Sequence, residues 1–144
     1  MSCDGVRGSG EAGAVAVEFA LVFPVLVLIL FGVIEFGRVW SQTQVFQGAA
    51  REGARCAAVK AAGYATCDIR QKVVDGAAPY TPAFVDGPSA LSVRINGAPA
   101  AAGCTDATRG KDVTVSWEQP FTISIPFWDV ATITTTVSGV FRCE

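Results

Sequence analysis

The sequence predicts an α+β protein in which one long N-terminal helix packs on a small antiparallel sheet. Residues 14–40 are almost wholly apolar, and a spacing of three and four between apolar residues continues to about residue 61. The last third instead alternates apolar and polar residues, as half-buried strands do. We therefore expect three parts: a leader at 1–13, a transmembrane and extended helix at 14–62, and an α+β domain with an antiparallel sheet at 63–144.

Composition narrows the class of protein. The chain has 144 residues, of which 51% are hydrophobic, and its mean hydropathy is +0.41. That is high for a soluble domain, so one segment must carry much of the apolarity. The net charge of −2 comes without a basic block, which argues against nucleic-acid binding. Histidine, the commonest general base and metal ligand, is absent from the sequence.

The apolar segment predicts a single membrane span. Phe19–Ile34 carries no charge but is only 16 residues long, or roughly 24 Å at 1.5 Å per residue. A span needs about 20 residues, so Ala14–Val17 or Phe36–Trp40 must contribute. Glu18 and Glu35 then lie near the two membrane faces, with Trp40 in the interfacial belt. Pro24 removes one helical hydrogen bond and is expected to kink the helix.

Two alternatives to a permanent anchor arise from the sequence. A cleaved secretory signal has a basic head and a small-residue cleavage site after its apolar core, and neither is present here. A buried core helix is disfavoured because branched apolar residues cover every face. The orientation is contested, because Arg38, Arg51, Arg55 and Lys60 follow the span, whereas basic residues normally stay in the cytoplasm. The cysteine count favours the opposite orientation, with the C-terminal domain outside.

The helix is predicted to continue beyond the membrane, to about Ala61, with a glycine cap at Gly63. Its contact stripe recurs every three or four residues and becomes rich in Ala and Gly, which allows close approach of a sheet. The stripe consists of Phe36, Val39, Trp40, Thr43, Phe46, Ala50, Gly53, Ala54, Ala57 and Ala61.

The C-terminal domain is predicted from short local patterns. Residues 68–78 form a helix with Asp68 near its start, and prolines mark a loop at 79–89. Strands are expected where apolar residues alternate, with a turn at Asn96-Gly97, a loop at 98–110 and a break at Pro120. The strand segments are 91–95, 113–117, 121–125 and 133–141. The aromatic segment 120–128 is either core packing at a strand corner or an exposed partner-binding patch.

Five cysteines are present, and four of them lie beyond the apolar helix. An even set on one side of a membrane indicates two disulfides in an oxidising compartment. Three pairings are possible, and we favour Cys104–Cys143, tying the long loop to the last strand, with Cys56–Cys67 clamping the helix end. Buried free thiols are the alternative. Cys3, in the leader, has no assigned role.

Gly13 and Glu18 form the most specific pattern. A peptidase at the membrane face requires a residue without a side chain at the scissile bond, and Gly13 followed by Ala14 provides one. Cleavage there makes Glu18 the fifth residue of the mature chain. An acid inside a bilayer costs roughly 2.5–3.5 kcal/mol, so an intramembrane carboxylate suggests a function. The alternative is that Glu18 only marks the membrane edge.

The N-terminal motif resembles that of the TadE-like family, minor pseudopilins of the tight-adherence pilus system. The matching pieces are Ala16–Leu21, Pro24, Phe31–Arg38, which contains Gly32 and Glu35, and Ala49–Arg55. The resemblance implies a pilin-like fold and processing by an aspartic prepilin peptidase. It also implies a role in pilus assembly, with other pilins or pseudopilins and the assembly platform as partners.

The expected function is therefore that of a cleaved minor pseudopilin acting in assembly or priming of a tight-adherence pilus or secretion system. It would lie in the cytoplasmic membrane with its N-terminus inside, and it would either join the filament or stay in the membrane. The alternative is an uncleaved, membrane-tethered binding or adhesion domain. Enzymatic activity, a cofactor, a metal, a small-molecule substrate and a nucleic-acid partner are not expected, because no motif for any of them is present.

Overall fold

A computed structural model of the chain describes residues 9–60, 66–125 and 128–144. The chain divides into two compact units, Met1–Gly37 and Arg38–Glu144, and helix α1 runs through the boundary. The elements are α1 (Ser9–Ala58), α2 (Ile69–Ala77), α3 (Ala83–Asp86), β1 (Ser92–Ile95), β2 (Ala98–Pro99), a 3₁₀ turn (Asp106–Thr108), β3 (Asp112–Ile125) and β4 (Trp128–Arg142).

The described part of the first unit is one helix. It begins at Ser9, earlier than the start at residue 14 expected from the sequence, and it continues through Pro24. The last residues of the leader, from Ser9 to Gly13, are therefore part of α1, since Ala and Glu are good helix formers even among glycines. Residues 1–8, including Cys3, lie outside the described residues, as do Ala61 and the predicted cap at Gly63.

The second unit contains a four-stranded antiparallel sheet in the order β2-β1-β3-β4. The predicted turn is present: Asn96 and Gly97 have φ values of 47° and 83°, a backbone conformation that favours Asn and Gly. β3 and β4 form the longest pairing, from Asp112 opposite Arg142 to Ile125 opposite Trp128, with one register shift near Ser124. The α+β class is confirmed.

The core of the second unit lies between the last four turns of α1 and one face of the sheet. Its helix side is a row of fully buried small residues, including Ala50, Ala54 and Ala57. Phe46 supplies bulk, with its ring 6.3 Å from Trp117 and 6.0 Å from Phe121. The buried stripe starts at Phe46, whereas the predicted stripe started at Phe36. Phe36 and Trp40 are instead 70% and 59% exposed.

Pro120 does not break the strand as predicted, because β3 passes through it without interruption. The N–H of Asn96 donates to the Asp112 carbonyl oxygen, so the backbone groups of even-numbered β3 residues point toward β1. β1 pairs only as far as Ser116. At position 120 a backbone N–H would point toward the β1 side of β3, beyond the end of β1. No ladder hydrogen bond is made there, so proline loses none by lacking the N–H.

Short elements fill segments that were predicted to be loops. α3 lies in the predicted 79–89 loop, and β2 with the 3₁₀ turn lies in the predicted 98–110 loop. α2 was predicted, and Asp68 caps it as expected, accepting a hydrogen bond from the Gln71 N–H at 3.2 Å. Phe121 is buried, which favours core packing for the aromatic segment, while residues 126 and 127 lie outside the described residues.

Candidate functional site

Gly13, Ala14 and Glu18 lie on the exposed surface of α1, within its first three turns. A Cβ added at Gly13 would meet no atom within 4 Å, and among the described residues both Gly13 and Ala14, which share the peptide bond to be cleaved, are exposed. The bond is nevertheless helical, and a peptidase requires it to unwind first. Glycine lowers that cost, because it is about 1 kcal/mol less favourable in a helix than alanine.

Glu18 lies among apolar side chains. Val15, Phe19 and Val22 surround it on the same face of the helix, and each of them is 59–64% exposed. Phe19 also stacks on Phe23, with ring centroids 5.4 Å apart. The carboxylate is therefore the one charged group on a surface that otherwise favours lipid or another apolar helix.

The remainder of the apolar segment is equally exposed. Its large side chains from Val15 to Phe36 are mostly between 37% and 72% exposed. The helix is long and apolar enough to cross a membrane, with a mean hydropathy of 2.8 over its best 18-residue window and no buried residue in that window. These properties fit a membrane anchor. Gly32 is exposed, and a Cβ there would meet nothing within 4 Å. Glu35 is half-buried.

Arg38 joins the start of the second unit to its sheet. Its guanidinium donates to the Thr122 carbonyl oxygen at 2.6 Å. This contact was not predicted, because it links residues that are far apart in the chain. It fixes α1 against β3 at the point where the apolar segment ends.

The Cys56–Cys67 disulfide holds the opposite end of α1, and the Cys104–Cys143 disulfide links the two segments whose backbone N–H groups bond to the last carbonyls of the helix. Cys56 bonds Cys67 and Cys104 bonds Cys143, with Cα–Cα distances of 5.9 and 5.7 Å. These are the two pairs favoured from the sequence. The last helical carbonyls are also satisfied, since the Cys104 N–H donates to the Ala57 oxygen at 2.9 Å and the Glu144 N–H donates to the Ala58 oxygen at 3.4 Å. The part of α1 that belongs to the second unit is therefore bonded to the rest of that unit at both of its ends.

Within the described ranges, no group of three or more His, Cys, Asp or Glu side chains is placed to hold a metal ion. Near the start of α1, the candidate site consists of Gly13, the backbone amide of Ala14 and the carboxylate of Glu18, all on one apolar helix. Such a set suits recognition and packing of the helix itself.

The family model for TadE-like proteins matches residues 13–55. This segment is TadE-like. The match confirms the resemblance inferred from the motif. It starts at Gly13 and covers the membrane segment and the helix as far as Arg55, less than a third of the chain. No curated protein and no solved structure is significantly similar to the chain.

The TadE-like segment and the compact second unit overlap. Residues 38–55 belong to both, and they include the buried Phe46, Ala50 and Ala54. The family motif after the membrane segment is therefore in part a core-packing motif. Its small residues are required by the close approach of the sheet, which the sequence indicated through the Ala- and Gly-rich stripe.

Proposed function

We propose that the chain is a minor pseudopilin of a Tad pilus system, cleaved by a prepilin peptidase after Gly13 and acting in pilus assembly or priming. Two observations support this. The TadE-like match begins at Gly13, and Glu18 is the only charged residue from Ala14 to Ile34. An acid retained on a lipid-exposed helix surface requires a compensating role, and a partner amine supplies it.

The chemistry begins with hydrolysis of the Gly13–Ala14 peptide bond. Gly13 keeps the new carboxylate and leaves with the leader, while Ala14 keeps the new α-amine. Ala14 and Glu18 are one helical turn apart and therefore lie on the same face of α1. In a packed assembly, the amine of one subunit meets the Glu18 carboxylate of its neighbour. Opposite charges offset part of the cost of burying each group.

The second unit supports a minor subunit rather than a shaft subunit. It adds an α+β domain with two disulfides to the helix, whereas a shaft subunit needs little beyond the helix itself. Disulfides persist in oxidising compartments, so this unit is proposed to lie outside the cytoplasm, with the leader inside and one span through the cytoplasmic membrane. Proposed partners are the peptidase, other pilins or pseudopilins and the assembly platform. No enzymatic activity or cofactor is proposed.

The alternative is an uncleaved membrane-tethered binding or adhesion domain. One observation favours it: the Gly13–Ala14 bond lies inside a helix that starts at Ser9, and a helical peptide bond is not presented as an extended protease substrate. This alternative predicts that the chain is not cleaved and that any apolar residue at position 18 is tolerated.

Substitution of Glu18 by Gln tests the assembly role, since Gln keeps the shape and removes the charge. We expect Glu18→Gln to insert in the membrane and to be cleaved as the wild type is, but to lose most piliation. The matched control is Glu11→Gln, which alters an acid that cleavage removes, so piliation should be unchanged. Normal piliation of the Glu18→Gln strain, measured by electron microscopy and sheared-pilus yield, would exclude the amine–carboxylate pairing.

A further inference from the structure

The two disulfides of the second unit differ in how far solvent can reach them. Cys56, Cys104 and Cys143 are each only 3–4% exposed. Cys67 is half-buried, so it is the one of the four disulfide-bonded cysteines that keeps an appreciable exposed surface. The Cys56–Cys67 bond can therefore be approached from its Cys67 side, whereas both residues of the Cys104–Cys143 bond are enclosed in the core.

Cys67 lines an open pocket of about 500 Å³ in the second unit. Leu91 and Val93 form an apolar part of the pocket wall, and Cys56 is not among the described residues that line it. A pocket of this size admits a small organic molecule. A small reagent can therefore reach Cys67 without a rearrangement of the core.

The charges around that pocket favour an anionic reagent. Lys60 and Arg70 line it, and Asp68 is the one carboxylate among the described lining residues, so two cations stand against one anion. The Lys60 stem packs beside Gly103, where an added Cβ would lie 3.0 Å from Lys60 Cδ. Arg70 donates to the Phe84 carbonyl oxygen at 3.0 Å, and the Asp68 carboxylate caps α2. Each of the three charges is therefore held by a contact of its own.

Access decides which sulfur of the Cys56–Cys67 bond a thiolate can attack. In thiol–disulfide exchange a thiolate bonds to one sulfur and the other sulfur leaves, so the rate depends on which sulfur can be reached. Attack on Cys56 requires entry into the core between α1 and the sheet, where that residue is 4% exposed. Attack on Cys67 requires only entry into the pocket. The apolar surroundings of Cys56 slow its departure as a thiolate, but they do not make its sulfur reachable.

We propose that Cys67 is a thiol-exchange site for small anionic thiols of the glutathione class. The sulfur of the incoming thiolate bonds to Cys67 Sγ, and the Cys56–Cys67 bond breaks. Cys56 Sγ leaves with the electron pair of that bond and takes up a proton from water. The products are a mixed disulfide at Cys67 and a free thiol at Cys56, and the exchange consumes no oxidant or reductant other than the thiol itself.

The exchange releases one contact of α1 and keeps another. Opening the Cys56–Cys67 bond frees the end of α1 from the segment that leads into α2. The buried Cys104–Cys143 bond stays closed, and the Cys104 N–H still donates to the Ala57 oxygen. The site is therefore a thiol-sensitive clamp between two helices of the second unit. It does not depend on the proposed function, since it uses only contacts within that unit.

The position of the adduct tests the proposal. Full-length chain in detergent is incubated with glutathione at mildly alkaline pH, quenched with acid, denatured and alkylated with N-ethylmaleimide, and its peptides are identified by mass spectrometry. We expect glutathione on Cys67, N-ethylmaleimide on Cys56 and an intact Cys104–Cys143 peptide pair, which also shows that the fold was kept. The proposal is overturned if the adduct is found on Cys56 or if Cys104–Cys143 opens first. It is equally overturned if the folded chain forms no adduct while the urea-denatured chain does.

A pair of thiols with opposite charges tests the role of the cations. The rates of mercaptoethanesulfonate, an anion, and cysteamine, a cation, are each divided by the rate of the same thiol with the same bond in the urea-denatured chain, which removes their intrinsic difference in reactivity. We expect the relative rate of the anion to be about threefold or more higher at low salt, from the Coulomb energy of one excess positive charge nearby. Equal relative rates would contradict an anion-selective site.

Lys60→Gln removes one of the two pocket cations and should lower that preference by about half or more. The matched control is Lys72→Gln, which alters an exposed lysine of α2 that does not line the pocket and should leave the preference unchanged. Equal preferences in the two variants would exclude Lys60 as part of the site. These reactions involve neither a peptidase nor a pilus, so their failure would leave cleavage at Gly13 untouched, and an uncleaved chain in cells would leave the exchange untouched.

Discussion

Gly139 of β4 lies directly against the backbone of Ala50 in α1. A Cβ built at Gly139 would come within 2.4 Å of the Ala50 carbonyl carbon and within 2.5 Å of the Arg51 nitrogen. No real Cβ approaches backbone atoms so closely, so residue 139 must be glycine for the helix to keep its distance from the sheet. This contact sets how deeply the TadE-like helix sits on the C-terminal domain.

Gly139→Ala is expected to destabilise the second unit by about 1–3 kcal/mol or more, because overpacking forces the helix away from β4. In thermal unfolding of the full chain in detergent, followed by tryptophan fluorescence, that predicts a fall in Tm of roughly 4–8 °C per kcal/mol. The control is Gly48→Ala, where the added Cβ meets nothing within 4 Å and a gain of up to about 1 kcal/mol is expected. An unchanged Tm for Gly139→Ala would contradict the close contact.

The side-chain oxygen of Gln119 accepts two hydrogen bonds. Its Oε1 accepts from the Trp117 indole N–H at 3.0 Å and from the Ala83 N–H at 2.9 Å, and Gln119 is 7% exposed. Gln119→Leu leaves both donors unpaired, at a cost of about 1–3 kcal/mol for each buried donor. Denaturant unfolding measures the loss. Gln71→Leu, which alters an exposed glutamine of α2, should change stability by less than about 0.5 kcal/mol.

A double-mutant cycle separates the hydrogen bond from simple packing. Trp117→Phe removes the indole donor, so adding Gln119→Leu to it should cost less than Gln119→Leu costs in the wild type. Additive losses would show that the Trp117–Gln119 contact contributes no hydrogen-bond energy, and that Gln119 acts through Ala83 alone or through its volume.

The Cys104–Cys143 disulfide is expected to contribute more stability than Cys56–Cys67. Cys104 and Cys143 are 39 residues apart in the chain, whereas Cys56 and Cys67 are 11 residues apart. The entropic contribution of a disulfide to stability grows with the length of the loop that it closes, within a typical range of about 2–4 kcal/mol. Replacing each pair by serines and measuring urea midpoints in detergent tests the order. Equal midpoints, or a lower midpoint for the Cys56/Cys67 variant, would contradict it.

The parts of the fold that were predictable from sequence are those governed by local rules. Asp68 as a helix cap, Asn96-Gly97 as a turn and the alternating segments of β3 and β4 each depend on neighbours within a few residues. Pro120 was misjudged because its tolerance depends on where β1 ends, at Ser116, a fact about pairing and not about sequence. α3 was missed because it is only four residues long, and its first N–H is held by the distant Gln119.

The same distinction between local patterns and long-range contacts applies to the candidate site. Gly13, Ala14 and Glu18 were singled out because their spacing along one helix carries the pattern; the TadE-like match covers their positions, and their roles stay predictions. The contact between Arg38 and Thr122, and the fit of Gly139 against Ala50, join residues that are distant in the chain. Only the folded arrangement reveals such contacts, and the order of the strands likewise emerges only from the fold.

The central claim, processing after Gly13, is tested most directly by the N-terminal residue of the mature protein. Mass spectrometry of membranes from a host that carries the matching peptidase gives that residue, and Gly13→Leu, which adds a side chain at the scissile bond, is the control that should stay uncleaved. The account predicts a chain that starts at Ala14. A chain that keeps Met1 or Ser2 would contradict prepilin processing, and a start beyond Arg38 would show that the apolar helix is a removable signal.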